Sequence, residues 1–355
     1  MSLSRSVISS TLDFDRHARW IVDNHAQKRR TLTLQRRSPN RDDARRILEA
    51  VCGEVEYIER FTTGLAHYVY DAQLGDGRRF VVRLTSPELA GEFAGALYWY
   101  ERLTPLGIPL PELFYEDIQG TRHGVPSMIM ERLPGTDLGH VYSSLSDDQK
   151  RWISAWVVDL QRRTATLPQG PGFGYADSYE DPTLLPTWRD VMLGSLERSR
   201  RYILSASVVD VEVVDRVAAR LAGFDGYLSR IEPVPFLHDT TTKNVIIDER
   251  GNPTGIVDVD SLCFGDPLWT LALTRMALLA HGRGTAYTDH WERHLNLTAE
   301  QHRASLLYTA LHCVAFLAEL GQPFNNESAP PVDPEFHRHL MVTIGSLHAH
   351  LDYSG

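Results

Sequence analysis

Cysteine is scarce: Cys52, Cys263 and Cys313 are too few, too scattered and odd in number for a disulfide framework or a zinc-binding spacing. That fits a reducing compartment. Long hydrophobic runs are missing too. The most apolar helix-like stretch, LWTLALTRMALLA from Leu268, is broken by Arg275 and is too short to span a bilayer. The opening MSLSRSVISSTLDFDRHARW has no apolar core of signal-peptide length. A concentrated basic domain is also lacking. Lys and Arg number 36 against 46 Asp and Glu, a net charge of −10, which is a poor balance for a nucleic-acid binder. These absences predict a cytoplasmic protein that engages neither nucleic acid nor membrane. An acidic surface suits a cationic substrate, but a charge of this size is also ordinary for solubility.

What is present is a globular composition, 43% apolar and 23% charged over 355 residues, enough for one large domain or two lobes. Residues 1–41 read as a basic extension, with a short helix in DFDRHARWIVDNHAQ before QKRRTLTLQRRSPNR. Residues 42–133 read as a strand-rich unit. RDDARRILEAV has helical spacing, and YIERFT and HYVYDAQLGDGRRFVVRL read as strands turning at Gly75-Asp76-Gly77. One prominent helix follows, expected to start at Pro87 with Ser86 as its cap. GIPLPELFYED and VPSMIMERLPG complete the strands. Residues 134–355 read as mostly helical. Trp152, Ile153, Trp156, Val157 and Leu160 should line one buried face, as should Val213, Val217, Leu221 and Phe224. The plan is α+β and two-lobed.

The chemistry gathers in FLHDTTTKNVIIDERGNPTGIVDVDSLCFGDP, Phe236 to Pro267. Asp239 and Asn244 flank a polar loop, a strand leaves it, and a tight hairpin returns through GIVDV to Asp258. Two carboxylates and an amide around one point make a hard-oxygen site suited to Mg²⁺. With a nucleotide bound, one Asp can orient and deprotonate a hydroxyl while the other carries metal. Turn-forming residues placed there for conformation alone are the competing explanation.

This segment resembles the signature of the aminoglycoside phosphotransferase and choline kinase superfamily, relatives of protein kinases. That family carries His-x-Asp-x-x-x-x-Asn, a strand, an Ile-Asp-Trp-like triplet and Gly-Asp-Pro. Here Asp239 and Asn244 keep the spacing, IVDV carries Asp258, and Gly265-Asp266-Pro267 follows. MIMERLPG, GIPLP, and PGFG with PTWRD extend the likeness in order over residues 42 to about 280. The resemblance implies a bilobal kinase-like fold with a small antiparallel-sheet N-lobe and a helical C-lobe. It implies ATP and Mg²⁺ as cofactors and a small-molecule hydroxyl acceptor. Asp239 resembles the catalytic base, and Asn244 and Asp258 the magnesium ligands. Thr63 and Gly64 resemble the phosphate-covering turn. Met130, Glu131, Arg132 and Leu133 resemble the adenine-holding hinge. Arg83 stands where the family has a strand lysine, with Glu92, chosen over Glu88 and Glu101, as its expected helix partner. Asp266 should brace its loop rather than touch substrate.

Three departures stand out. Leu237 occupies the family's histidine position, with His238 one residue on. Arg83 replaces lysine, and Thr270 replaces an aspartate often found after Gly-Asp-Pro. The function expected is ATP-dependent O-phosphotransfer to a small molecule. Alternatives are a choline, homoserine or sugar kinase of the same superfamily, or a nucleotide-binding pseudokinase or regulatory protein. The acidic residues Asp177, Glu180, Asp181 and Glu327 lean toward a cationic or hydroxyl-rich acceptor. HWERH places His290 and His294 four apart, and both are expected at the surface rather than on zinc.

Overall fold

The computed structural model describes residues 38–61, 67–322 and 331–353. The N-terminal extension through residue 37, the turn holding Thr63 and Gly64, and the loop holding Glu327 lie outside the described residues. Helix α1 (Arg41–Cys52) starts at a capping box in which Asn40 accepts from the Asp42 and Asp43 backbone and Asp43 reaches back. Its buried Ala44, Ile47 and Leu48 cover one face of an antiparallel five-stranded sheet. The strands are β1 (Val55–Arg60), β2 (Tyr68–Leu74), β3 (Arg79–Leu84), β4 (Leu113–Asp117) and β5 (Ser127–Glu131). Their order across the sheet is β1-β2-β3-β5-β4.

The other face meets helix α2 (Ala90–Leu103), where Phe93, Ala96 and Tyr100 pack on Met128 and Met130. This helix begins three residues later than the sequence suggests. Pro87–Leu89 form a 3₁₀ turn closed by Leu89 N–H on the Ser86 carbonyl, and the Ser86 side chain caps nothing.

The larger lobe is helical: α3 (Leu138–Val141), α4 (Asp147–Thr164), α5 (Trp188–Ala206), α6 (Glu212–Leu221), α7 (Asp225–Leu228), α8 (Leu268–Ala280), α9 (Ala286–Leu295), α10 (Ala299–Glu319) and α11 (Pro334–Tyr353). Between α7 and α8 run β8 (Val234–Phe236), β9 (Val245–Ile247), β10 (Pro253–Ile256) and β11 (Leu262–Gly265). They join β6 (Thr136–Asp137) and β7 (Gly174–Ala176) in two small antiparallel sheets. The architecture is the α+β, two-lobed, kinase-like one expected. On α6 the face expected to be buried, Val213, Val217 and Leu221, is buried. On α4 the stripe is narrower than expected. Ile153, Val157 and Leu160 are buried, but Trp152 is 49% exposed. The core stripe runs on through Gln161 and Thr164, and Trp152 lies about 100° around the helix from Ile153.

The two lobes come close at Gly135, which follows β5. Its φ is 109°, and a Cβ there would sit 2.0 Å from the Ile247 carbonyl oxygen. Only glycine lets β6 lie this close to β9. Gly135→Ala should therefore lower unfolding free energy by about 1–3 kcal/mol in urea titrations, whereas Gly91→Ala, with open space around it, should not.

Candidate active site

The β8–β9 loop is polar yet mostly buried, so its hydrogen bonds need partners from elsewhere. Gln161 of α4 supplies them. Its side chain accepts from Leu237 N–H at 3.0 Å and donates to the Leu237 carbonyl at 2.8 Å and to Thr240 Oγ1 at 3.0 Å. Thr240, Thr241 and Thr242 are all buried. Thr240 meets Thr270 at 3.3 Å, and the Thr242 carbonyl accepts from Gly139 N–H. Thr241 donates to Asp239 Oδ1 at 2.9 Å, and Asp239 lines the cleft. Asn244 Nδ2 donates to the Asp239 carbonyl at 2.9 Å. That bond uses one of the two amide N–H donors and leaves the amide oxygen out of this contact.

The hairpin then brings Asp258 alongside. Ile256 pairs with Val245, and Val257 N–H donates to the Asn244 carbonyl at 2.9 Å. Asp258 has φ 63°, a left-handed conformation that is rare outside glycine and marks stored strain at a site. This turn points a 55% exposed carboxylate into a small cleft that Asp239 also lines, with Leu237, His238 and Ser261. The protein atoms crowding this carboxylate from behind, although its face stays open to the cleft, and the nearby Asp260 charge push the Asp258 carboxyl up to about 6, against the pull of Arg83. Among the described residues no group of three or more His, Cys, Asp or Glu could hold a metal alone. An amide oxygen and one carboxylate are still a fit for Mg²⁺. That ion keeps several waters and takes its remaining oxygens from phosphate.

Arg83 reaches across from β3, but not to Glu92 as expected. Its Nη1 and Nη2 donate to the two oxygens of Asp260 at 2.7 and 2.5 Å, and Nη2 also meets Asp258 Oδ1 at 3.3 Å. Phe93 lies beneath the guanidinium at 5.4 Å. Glu92 instead pairs with His67 Nε2 at 3.2 Å, which Asp260 Oδ2 also meets at 3.2 Å, while His67 Nδ1 bonds Thr85 at 3.0 Å. Glu92 is displaced from Arg83 because the buried His67 ring is itself its partner. Burial would depress the His67 pKa, yet Asp260 and Glu92 hold it above the ordinary value. Burial likewise opposes ionisation of Asp260, but Arg83 and His67 hold its carboxyl well below the usual range.

A model of the phosphotransferase enzyme family matches residues 58–307. The chain belongs to this family. It is a small-molecule kinase by class. Among solved structures it is similar to a thermostable mutant of aminoglycoside phosphotransferase APH(4)-Ia in ternary complex with AMP-PNP and hygromycin B. Identity is 18%, coverage 88% of this chain and 97% of that one, and the TM-score 0.59. It is also similar to the GDP complex of wild-type aminoglycoside 2'-phosphotransferase-IIIa, at 14% identity, 88% and 99% coverage and TM-score 0.64. The streptomycin–ATP–APH(2")-IIa ternary complex shares 10% identity, with 87% and 96% coverage and TM-score 0.57. At these identities the likeness is one of fold. No curated protein matches.

In this phosphotransferase the hinge candidates lie at the end of β5. Met130 is buried and pairs with Val81 and Leu113. Glu131 N–H donates to the Glu112 carbonyl at 2.7 Å, and its carboxylate accepts from Glu112 N–H. Arg132 folds back, donating to the Leu133 carbonyl and lying over Phe61. Leu237, in the family's histidine place, is 2% exposed and serves the core. The His238 ring packs edge-on to Tyr175 at 4.9 Å, its Nδ1 has no hydrogen-bond partner, and burial lowers its pKa.

Asp266 is a brace, as expected. It is buried and accepts from Tyr227 at 2.6 Å, Tyr308 at 3.0 Å and Leu268 N–H at 3.0 Å. His290 departs from the expected surface position: it is 3% exposed and bonded to Asp147 at 2.9 Å, tying α9 to α4. His294 is partnered by the Arg151 carbonyl at 3.2 Å.

Asp260, His67 and Gln161 did not stand out in the sequence. Asp260 alone carried a usable signal, its place two residues after Asp258, which in extended chain returns a side chain to the same side. Asp266→Ala should lower the melting temperature, costing about 1–3 kcal/mol per stranded tyrosine hydroxyl. Calorimetry on the folded variant below its transition should still find nucleotide binding.

Proposed function

We propose that the protein transfers the γ-phosphoryl group of ATP to a hydroxyl of a small molecule, with Mg²⁺ as cofactor. The observation that carries this reading is the meeting of Asp239 and Asp258 on one cleft, with Asn244 hydrogen-bonded into the same loop. In the reaction, the acceptor oxygen forms a bond to the γ-phosphorus as the bond from that phosphorus to the β,γ-bridging oxygen breaks. The acceptor proton passes to Asp239 Oδ2, since Oδ1 is engaged by Thr241. Asn244 and Asp258 would hold Mg²⁺, whose charge offsets that of the phosphates. The remaining contribution is positioning. Gln161 and the buried threonines keep Asp239 in one place, so its carboxylate needs no reorganisation at the moment of transfer.

The nucleotide base would lie at the hinge. Glu131 N–H is already committed to Glu112, so a base must seek donors and acceptors at Arg132 and Leu133. The acceptor side falls to the larger lobe, where the Tyr175 ring flanks His238 and its hydroxyl accepts from Trp269 Nε1 at 2.8 Å. Two acidic residues of the adjacent loop have structural partners, which weakens the lean toward a cationic acceptor. Asp181 accepts from Asp177 N–H and from Thr183, and Glu180 from Tyr98, so both hold the loop itself.

One observation favours the second reading, a nucleotide-binding module without transfer. Arg83 already contacts the carboxylate that should face the metal. The deciding experiment measures ADP release from ATP with aminoglycosides, choline, homoserine, macrolides and sugars. Acceptor-stimulated turnover supports transfer. Nucleotide binding with no stimulation across a broad panel favours the module. Asp239→Asn should keep the wild-type melting temperature and nucleotide affinity while lowering turnover about 10²- to 10⁴-fold. Near-normal turnover in that variant would remove Asp239 from the reaction.

A further inference from the structure

In the resemblance, a strand cation is positioned by a carboxylate of the lobe-bridging helix. Here that arrangement is divided into two pairs. Arg83 is gripped by Asp260, and the helix residue Glu92 grips His67. We propose that Asp260 is the positioning residue of the nucleotide site: it fixes Arg83 and thereby keeps Asp258 available, while Glu92 acts only through His67. This rests on the nucleotide reading above.

A guanidinium is a flat, rigid fork, always charged, and best satisfied by a carboxylate lying in its plane. Asp260 meets it that way, with one oxygen on each terminal nitrogen at 2.7 and 2.5 Å. The contact left over for Asp258 is a single one at 3.3 Å, longer than the usual range for such a bond. Arg83 therefore steadies Asp258 without occupying it. Without Asp260, the buried Arg83, 6% exposed, would be left with Asp258 as its nearest carboxylate. The fork would swing fully onto it and compete with a cation for the same oxygens.

The second pair has a different reach. His67 is 5% exposed and lies where the chain enters β2, and it touches Asp260, Glu92 and Thr85 at once. It ties α2 to the same aspartate. Gly95 makes the approach of α2 possible: a Cβ there would sit 2.6 Å from the Asp260 carbonyl oxygen and 2.9 Å from Asp177 Cβ. Three elements, β3, β2 and α2, thus converge on one residue of the larger lobe. A lysine at position 83 could not do the same work, because a point charge does not set a plane.

The experiment is calorimetric titration of ADP, with and without Mg²⁺, into the wild type, Asp260→Asn, Asp260→Glu, Glu92→Gln and Arg83→Lys, each checked for an intact melting transition. Asp260→Asn should lose roughly 10- to 100-fold in Mg²⁺-dependent affinity, the range for groups that orient a metal ligand. Asp260→Glu should recover part of the loss, and Glu92→Gln should change affinity by less than about threefold. If Asp260→Asn does not fold, Arg83→Lys carries the same expectation of a large loss. Equal or greater loss in Glu92→Gln, or unchanged affinity in both Asp260→Asn and Arg83→Lys, overturns the proposal. Wild type that binds no ADP overturns the nucleotide reading and this proposal with it. Wild-type binding that every variant retains overturns this proposal alone.

Discussion

A buried arginine cannot shed its charge, so the surrounding chain must bring carboxylates to it. Arg83 imposes that demand on this protein. It is anchored in the sheet of the smaller lobe, and the carboxylates that answer it, Asp260 and Asp258, come from the larger one. The two lobes are therefore registered by an ion pair at the point where phosphate chemistry is proposed. The left-handed turn at Asp258 belongs to the same constraint. In ordinary extended chain, residues 258 and 260 would share a side. The turn separates their tasks, one carboxylate open to the cleft and the other on Arg83 and His67.

A second set of hydrogen bonds holds the β8–β9 loop from behind. Gln161 clamps Leu237 and Thr240 from α4, and Thr240 leans on Thr270 at the start of α8. The same helix is anchored by Asp266, whose carboxylate collects Tyr227, Tyr308 and the Leu268 N–H. Burial raises the Asp266 pKa while these donors oppose the shift. Tyr308 in turn accepts from Trp188 Nε1 at 2.9 Å, and Trp188 packs against Gly265, where a Cβ would fall 2.3 Å from the ring. The Gly-Asp-Pro segment is thus the joint between the hairpin and the helical core.

Much of this is legible in the chain's own residues. The alternating strands and the hairpin at Gly75–Gly77 obey local rules that one chain reveals, whereas the spacing of Asp239, Asn244 and Asp258 gains its meaning from the family resemblance. What escapes such a reading is a choice made between distant segments. Glu92 sits on the expected helix, but its partner is decided by His67, 25 positions away and buried beside it. Trp152 obeys the helical period, yet the neighbours of α4 bury a stripe that leaves it at the edge. Gln161 looks like any polar residue on an amphipathic helix. Its role comes from a loop some 76 residues later. The threonines 240–242 read as turn residues, and burial makes them interior scaffold.

Asn244 and Asp258 are proposed to bind a divalent cation only together with nucleotide phosphates. Isothermal titration of ATP into the wild-type protein, in Mg²⁺ and again in chelator, tests it most directly. The arrangement predicts measurable affinity with Mg²⁺ that falls sharply when the cation is removed, and little Mg²⁺ binding without nucleotide. Equal ATP affinity in both buffers would contradict it.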